Sequence, residues 1–467
     1  MIVHTMLLVI LALFTYRGPA GSSDSLLVSQ GDAVETVILE SLPAEQKEAV
    51  IDGTLAEATV AIAISPSEPV PVASPIKSVD DGEPDTKAGE LASSGGITTA
   101  NVPLLQLPSG GGLGGRTPEG RLELGRKYGA TKASEEAVEA ALKWLAEHQR
   151  PNGSWSFNLD LDPCNGQCRH SKKESDTPTP TTGATGLALL AFLGAGYTHH
   201  IDGPYQETVR RGLYYLRGVA AETQAGYDWQ QGSMYGHGIA LMALAEALKM
   251  TTEGDPRNND LYDLVYRGSS FTCIAQHDSG SWGYVPGSPG DTTVSGWQVL
   301  SLIAAKKNGI PLHTETLSDT RRFLLSACTD RDYWFGYKKP PGEPTTTAIG
   351  LTLMLYLGES PQYTPFYEAL NKLADRGPTL NNIYHDYYGT LALHHSRHRD
   401  WDLWNTKLRD HLVKTQAQSG HEKGSWHFKD RWGDIGGRLY TTAMCAMTLE
   451  VYYRYLPLYE EAEFALE

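Results

Sequence analysis

From Ala130 onward, two kinds of apolar pattern alternate along the chain. In the stretch SEEAVEAALKWLAEHQ, Ala137, Leu142 and Leu145 mark one face while Glu and Lys fill the other positions. That period predicts a helix with one buried and one wetted face, capped at Ser134. TGLALLAFLGAG, from Thr185 to Gly196, is apolar or small at nearly every position. A helix apolar all round must be buried on all sides. Between the two lies the turn Pro151-Asn152-Gly153-Ser154-Trp155-Ser156-Phe157, followed by an insertion.

The whole unit recurs. Its turn returns as Gly280-Ser281-Trp282-Gly283-Tyr284 and Gly424-Ser425-Trp426-His427-Phe428, with degenerate copies at Tyr333 to Tyr337 and Tyr227 to Trp229. A small residue near each second-helix start (Gly186, Gly238, Gly296, Gly350, Gly389 and Ala443) keeps the count of units at six. Six outer–inner helix pairs predict an all-α fold, an (α/α)6 toroid with the apolar helices lining a central barrel. An open solenoid obeys the same local rules but wants polar capping repeats, which neither end supplies.

Composition divides the chain further. Of 43 aromatic residues in 467, none lies between Arg17 and Lys127. From Gly21 to Gly115 there are 3 basic and 14 acidic residues. Such a segment buries too little apolar surface to offset chain entropy. The expected organisation is therefore a signal peptide or N-terminal anchor over 1–20, a disordered acidic linker over 21–125 and a toroid over 126–460. The apolar run Met6 to Phe14 is too short to span a bilayer, and Gly18-Pro19-Ala20 suits a signal-peptidase site. Export to the periplasm, cell surface or medium is expected, with membrane contact only through an uncleaved N-terminus. A formal charge of -16 argues against nucleic acid as a partner.

The Gln-to-Trp turns, Gln149 to Trp155, Gln276 to Trp282 and the stretched Gln416 to Trp426, resemble the repeat signature of the prenyltransferase and squalene-oxidase repeat family. Met234 to Leu248, Gly290 to Leu302 and Gly436 to Pro457 are similar to stretches of exported bacterial toroid proteins of that kind. The resemblance implies the toroid fold and an apolar ligand such as an isoprenoid in the barrel. It does not carry the cyclase reaction, because the D-x-D-D motif that protonates an alkene in squalene–hopene cyclases is absent from the chain. Asp162-Pro163-Cys164 has the D-x-C spacing of protein prenyltransferase zinc ligands, but an insertion separates it from the next helix.

Candidate chemistry comes from architecture. Parallel inner helices gather their N-termini, with orphan N–H groups and positive dipole ends, at one mouth of the barrel. His237, Asp291, Asp386 and Arg438 fall there as candidate acid–base residues. Tyr235, Thr292, Tyr388 and Tyr440 join them as candidate ligand contacts; Asp291 also reads as a helix cap. The insertion DPCNGQCRH offers Cys164, Cys168 and His170 as metal ligands, with His199 or His200 as a fourth. A disulfide closing the Asn165-Gly166 turn is the preferred reading for an exported protein, and zinc is possible but not expected. Cys273, Cys328 and Cys445 read as buried thiols, and His394-His395-Ser-Arg-His398 as a solvated basic edge.

Three function classes follow: a terpene-cyclase-like or prenyl-transfer-like toroid holding an apolar ligand, a non-catalytic binding toroid for protein partners, and a carbohydrate-processing α/α barrel. A barrel with a dry cavity favours the first, a filled one the second, and an open groove with two facing carboxylates the third.

Overall fold

The computed structural model describes residues 114–172, 181–251, 256–455 and 458. The expected signal peptide and nearly all of the acidic linker lie outside the described residues. Among them are fourteen helices and one short hairpin, with no helix long and apolar enough to cross a membrane.

The outer helices are α2 (Lys132–Glu147), α4 (Gln206–Gly218), α6 (Pro256–Ile274), α8 (Thr316–Ser326), α10 (Thr364–Arg376) and α12 (Trp401–Thr415). The inner ones are α3 (Thr181–Gly194), α5 (Met234–Lys249), α7 (Thr292–Lys307), α9 (Pro344–Tyr356), α11 (Ile383–His395) and α13 (Arg431–Leu449). Each inner helix packs on the next, and α13 packs back on α3, so the ring is closed. Strands β1 (Ala221–Thr223) and β2 (Gly226–Asp228) form an antiparallel hairpin in the second turn. A leading helix, α1 (Pro118–Tyr128), lies against the last one, α14 (Val451–Arg454).

Two boundaries differ from expectation. The expected start of the toroid at 126 falls inside α1, and Arg116 ahead of it is already buried on Glu246 at 2.8 Å. Helix α2 is capped by Thr131 rather than Ser134: the Thr131 hydroxyl accepts from the Ser134 N–H, and Ser134 returns the bond to the Thr131 N–H. This reciprocal box satisfies two N-terminal donors, which Ser134 alone does not.

The repeat turns do the joining. In α2's turn, the Gln149 amide donates to the carbonyls of Gly153 and of Thr208 in the next outer helix. Gln276 does the same toward Gly280 and Thr316. Gln416 donates to Gly424 and to Ala137, so the same bond joins the sixth repeat to the first. The Trp155, Trp229, Trp282 and Trp426 indoles each donate to a carbonyl at the end of the preceding outer helix, at 2.7 to 2.8 Å.

The middle of the barrel is packed with side chains. Side chains on every side of the inner helices are buried through their middle turns, including Trp297, Tyr384, Tyr387, Tyr388 and Tyr440. Ring centroids of Tyr384 and Tyr387 lie 5.1 and 5.3 Å from that of Tyr388, and Trp297 stacks alongside Tyr387. At the C-terminal end of the barrel, Glu246 accepts from Arg116, Arg454 and Tyr455, and Arg454 also reaches Glu450.

Candidate functional site

At the N-terminal mouth, one position of the inner helix has a constant task. The hydroxyls of Thr185, Ser295, Thr347 and Thr442 accept from the backbone N–H of Trp155, Trp282, Phe335 and Trp426, at 3.0 to 3.1 Å. In the second repeat His237 holds that position: its Nδ1 accepts from the Trp229 N–H at 3.3 Å. The Thr272 hydroxyl donates to a backbone carbonyl and lies 2.8 Å from His237 Nε2, so this network places the ring proton on Nε2. In the fifth repeat Asp386 serves similarly, accepting from the N–H groups of Thr379 and Leu380. Asp291 caps α7, accepting from Thr293 and Val294, and its burial raises its pKa. Aligned by this bond, the fourth-repeat counterpart of Gly186 is Ala348, two residues before Gly350.

Two of the candidate ligand contacts, Tyr235 and Thr292, are occupied in the same way. The Tyr235 hydroxyl lies 2.5 Å from that of Thr293, Thr292 donates to the Gly336 carbonyl, and Tyr388 and Tyr440 are buried in the core. Among the described residues no hydrogen bond or ion pair links any two of His237, Asp291, Asp386 and Arg438. His237, Asp291, Asp386, Tyr235 and Thr292 each take part in a structural joint at this mouth. His394, His395 and His398 are also buried, bonded to the Tyr455 carbonyl, the Tyr356 hydroxyl and Asn371. They form no solvated edge, because α11 is an inner helix.

A different group of reactive side chains assembles at the seam between repeats one and six. His148 ends α2, Cys164 and Cys168 stand on the insertion, and His421 lies in the stretched turn after α12. One ligand atom from each lies within 4.8 Å of all the others. Cys168 Sγ is 3.5 Å from His148 Nε2 and 3.3 Å from His421 Nδ1, which is 3.8 Å from Cys164 Sγ. Both thiols are free and buried, while His421 is exposed. His170 stands apart, its ring stacked on His427 with centroids 3.8 Å apart, and His199 packs on His200 elsewhere. Burial, with help from Cys164, pushes the Cys168 thiol up to about 12, and burial pushes His148 down to about 4.

The support around this group is dense. His148 Nδ1 lies 2.6 Å from the Trp144 carbonyl, so Nδ1 carries the proton and Nε2 presents a lone pair to Cys168. The Trp144 indole stacks on His148 and donates to the His421 carbonyl. Arg438 pairs with Glu422 beside His421, donates to Ser425 and holds the Arg169 carbonyl of the insertion. Its backbone N–H donates to His170, just after Gly437, the left-handed kink of α13. Arg438 is thus a brace for the insertion. His148 and His421 escaped the sequence reading; the signal present was that His421 sits in the extra residues of the stretched turn.

An open cleft lies at the other mouth. A cleft of about 1120 Å³ runs between α1, the start of α2 and the loop after α3. Its walls are mostly apolar, with Leu122 and Ile201 exposed and the cations Arg126, Lys132 and Lys249 around them.

Neither a known family model nor a curated protein matches this chain. Among solved structures, the type II terpene cyclase MstE from Scytonema is 12% identical, with 68% of this chain and 97% of the cyclase covered at a TM-score of 0.46. A variant of that cyclase in complex with geranylgeranyl dihydroxybenzoate matches over 69% of this chain and 97% of its own, also at 0.46. An inactive variant of the α-1,6-mannanase GH76A of Salegentibacter, in complex with α-1,6-mannotriose, is 11% identical over 68% of this chain and 99% of the mannanase, with a TM-score of 0.46.

Proposed function

We propose that this protein is a non-catalytic binding toroid that takes an anionic amphiphile in the cleft beside α1. The observation that carries the reading is the contrast between the filled barrel and the open cleft. An isoprenoid buried along the barrel axis would need a cavity of several hundred Å³. Tyr384, Tyr387, Tyr388 and Trp297 are buried against one another on the inner helices. The cleft joins apolar walls with three exposed cations in a chain of net charge -16. That pairing suits a ligand with an apolar tail and an anionic head, such as a fatty acid or a prenyl phosphate.

The second reading, a surface for protein partners, draws on the same filled barrel. Titration calorimetry with a long-chain fatty acid and with farnesyl phosphate separates the two. Saturable binding weakened tenfold or more in the Arg126→Glu, Lys249→Glu double variant is the expected result. Absence of binding to either ligand, with the fold intact by circular dichroism, sinks the amphiphile reading and leaves the protein-binding one.

A further inference from the structure

We propose that His148, Cys164, Cys168 and His421 bind a single zinc ion that fastens the first repeat to the last. Zinc takes thiolate sulfur at about 2.3 Å and imidazole nitrogen at about 2.0 to 2.1 Å in a tetrahedron. Those bonds place sulfur and nitrogen ligands about 3.5 Å from one another across an edge. The sulfur–nitrogen separations of 3.3, 3.5 and 3.8 Å match that edge. Two sulfurs and two nitrogens in such an arrangement are the donor set of zinc among common metals.

A disulfide between Cys164 and Cys168 would use the two sulfurs alone. It would leave unexplained why two histidines from distant parts of the chain aim at the same thiols. His148 is already oriented as a ligand: Nδ1–H donates to the Trp144 carbonyl, which leaves Nε2 free toward Cys168. Donation of the remote ring N–H to a carbonyl is the usual device that fixes a metal-binding imidazole. Trp144 also holds the His421 backbone, so one indole supports both histidines.

Binding converts two thiols and two neutral imidazoles into a neutral zinc dithiolate and releases two protons. Four protein ligands leave no position for water or substrate, which marks a structural rather than a catalytic centre. The ligands span the ring closure: Cys168 and His421 are 253 residues apart in sequence. A link closing so long a loop restricts the unfolded chain strongly. The ion would therefore act as a clasp at the one joint that neighbours in sequence cannot make.

The test is elemental analysis of the full chain, purified without chelator and then dialysed against zinc and buffer. One zinc per chain is expected, falling below a tenth in His421→Ala, a change at an exposed side chain. His170→Ala should keep the metal. Cobalt substitution should give a thiolate-to-cobalt charge-transfer band that Cys168→Ser removes, and chelation should lower the Tm by about 5 °C or more. Less than a tenth of an equivalent of zinc in the wild-type protein, with both thiols reactive only after reduction, overturns the proposal. So does zinc retained in His421→Ala or lost in His170→Ala.

Discussion

His395 shows how little a side chain's identity says about its surroundings. It sits in an i, i+1 pair with His394 near a helix end, where a wetted, protonated imidazole would be ordinary. In the fold it is fully buried and lies 2.8 Å from the Tyr356 hydroxyl. Burial, then the neighbouring His394 and Lys307, holds its pKa well below the ordinary histidine value, and the Tyr455 ring packs on its other side. The unfolded chain takes up this proton as pH falls below about 6.5, while the folded chain resists it. Its contribution to stability is therefore present above that pH and lost on acidification. Urea unfolding at pH 7.5, 6 and 5 should show the gap between wild type and His395→Gln narrowing by up to about 1.4 kcal/mol per pH unit below 6.5. Parallel losses in the two proteins would show that His395 titrates as a solvated group.

At the scale of elements, the contacts between helices decide which positions stay small. A Cβ at Gly186 would lie 2.8 Å from Ile239 Cγ2 and 2.9 Å from the Ile239 carbonyl oxygen, so helices α3 and α5 meet backbone to backbone there. The spacing of small residues marked this contact in the sequence, although it pointed to Gly350 rather than Ala348 in the fourth repeat and to Gly389 rather than Tyr387 in the fifth. Gly186→Ala must push the two inner helices apart and should cost about 1–3 kcal/mol in denaturant unfolding. Gly218→Ala, at the end of α4 with open space around it, is the matched control and should be near neutral. Equal effects of the two would mean that close approach of the helices does not keep position 186 a glycine.

The same scale gives His237 and Asp386 a structural task. His237 and Asp386 looked chemical because the inner-helix N-termini gather them at one mouth of the barrel. Each instead accepts a turn N–H, as Thr185, Ser295, Thr347 and Thr442 do in other repeats. A histidine and a carboxylate can replace a hydroxyl as acceptors, so the repeat tolerates either at this joint. That equivalence becomes visible only when the turn donors are placed.

Across the whole molecule, closure concentrates charge at the C-terminal mouth. Although burial works against ionisation, Arg116 and Arg454 keep the Glu246 carboxylate below its usual range. These three come from the leading segment, the second repeat and the last helix, so the group gathers both ends of the described chain onto the barrel. Glu246→Gln would leave two buried guanidinium groups short of a counter-charge, at a cost of about 3–5 kcal/mol. Equilibrium urea unfolding checks this; a loss under about 1 kcal/mol would mean that Glu450 or water compensates.

The alternation of amphipathic and uniformly apolar helices determined the helix pairs, their count and which helix of each pair is inner, because burial on one face or on all faces is written in hydrophobic period. Gln149, Gln276 and Gln416 with their tryptophans likewise announced the joints. Only the tertiary structure decided what fills the barrel and what meets at its seam. Whether aromatic side chains interlock or enclose a void depends on the shapes of six helices at once, which periodicity does not encode. The histidine–cysteine quartet joins residues more than 250 positions apart, from an insertion in the first repeat and a stretched turn in the last. In the sequence those were two separate departures from the repeat, and ring closure is what makes them neighbours.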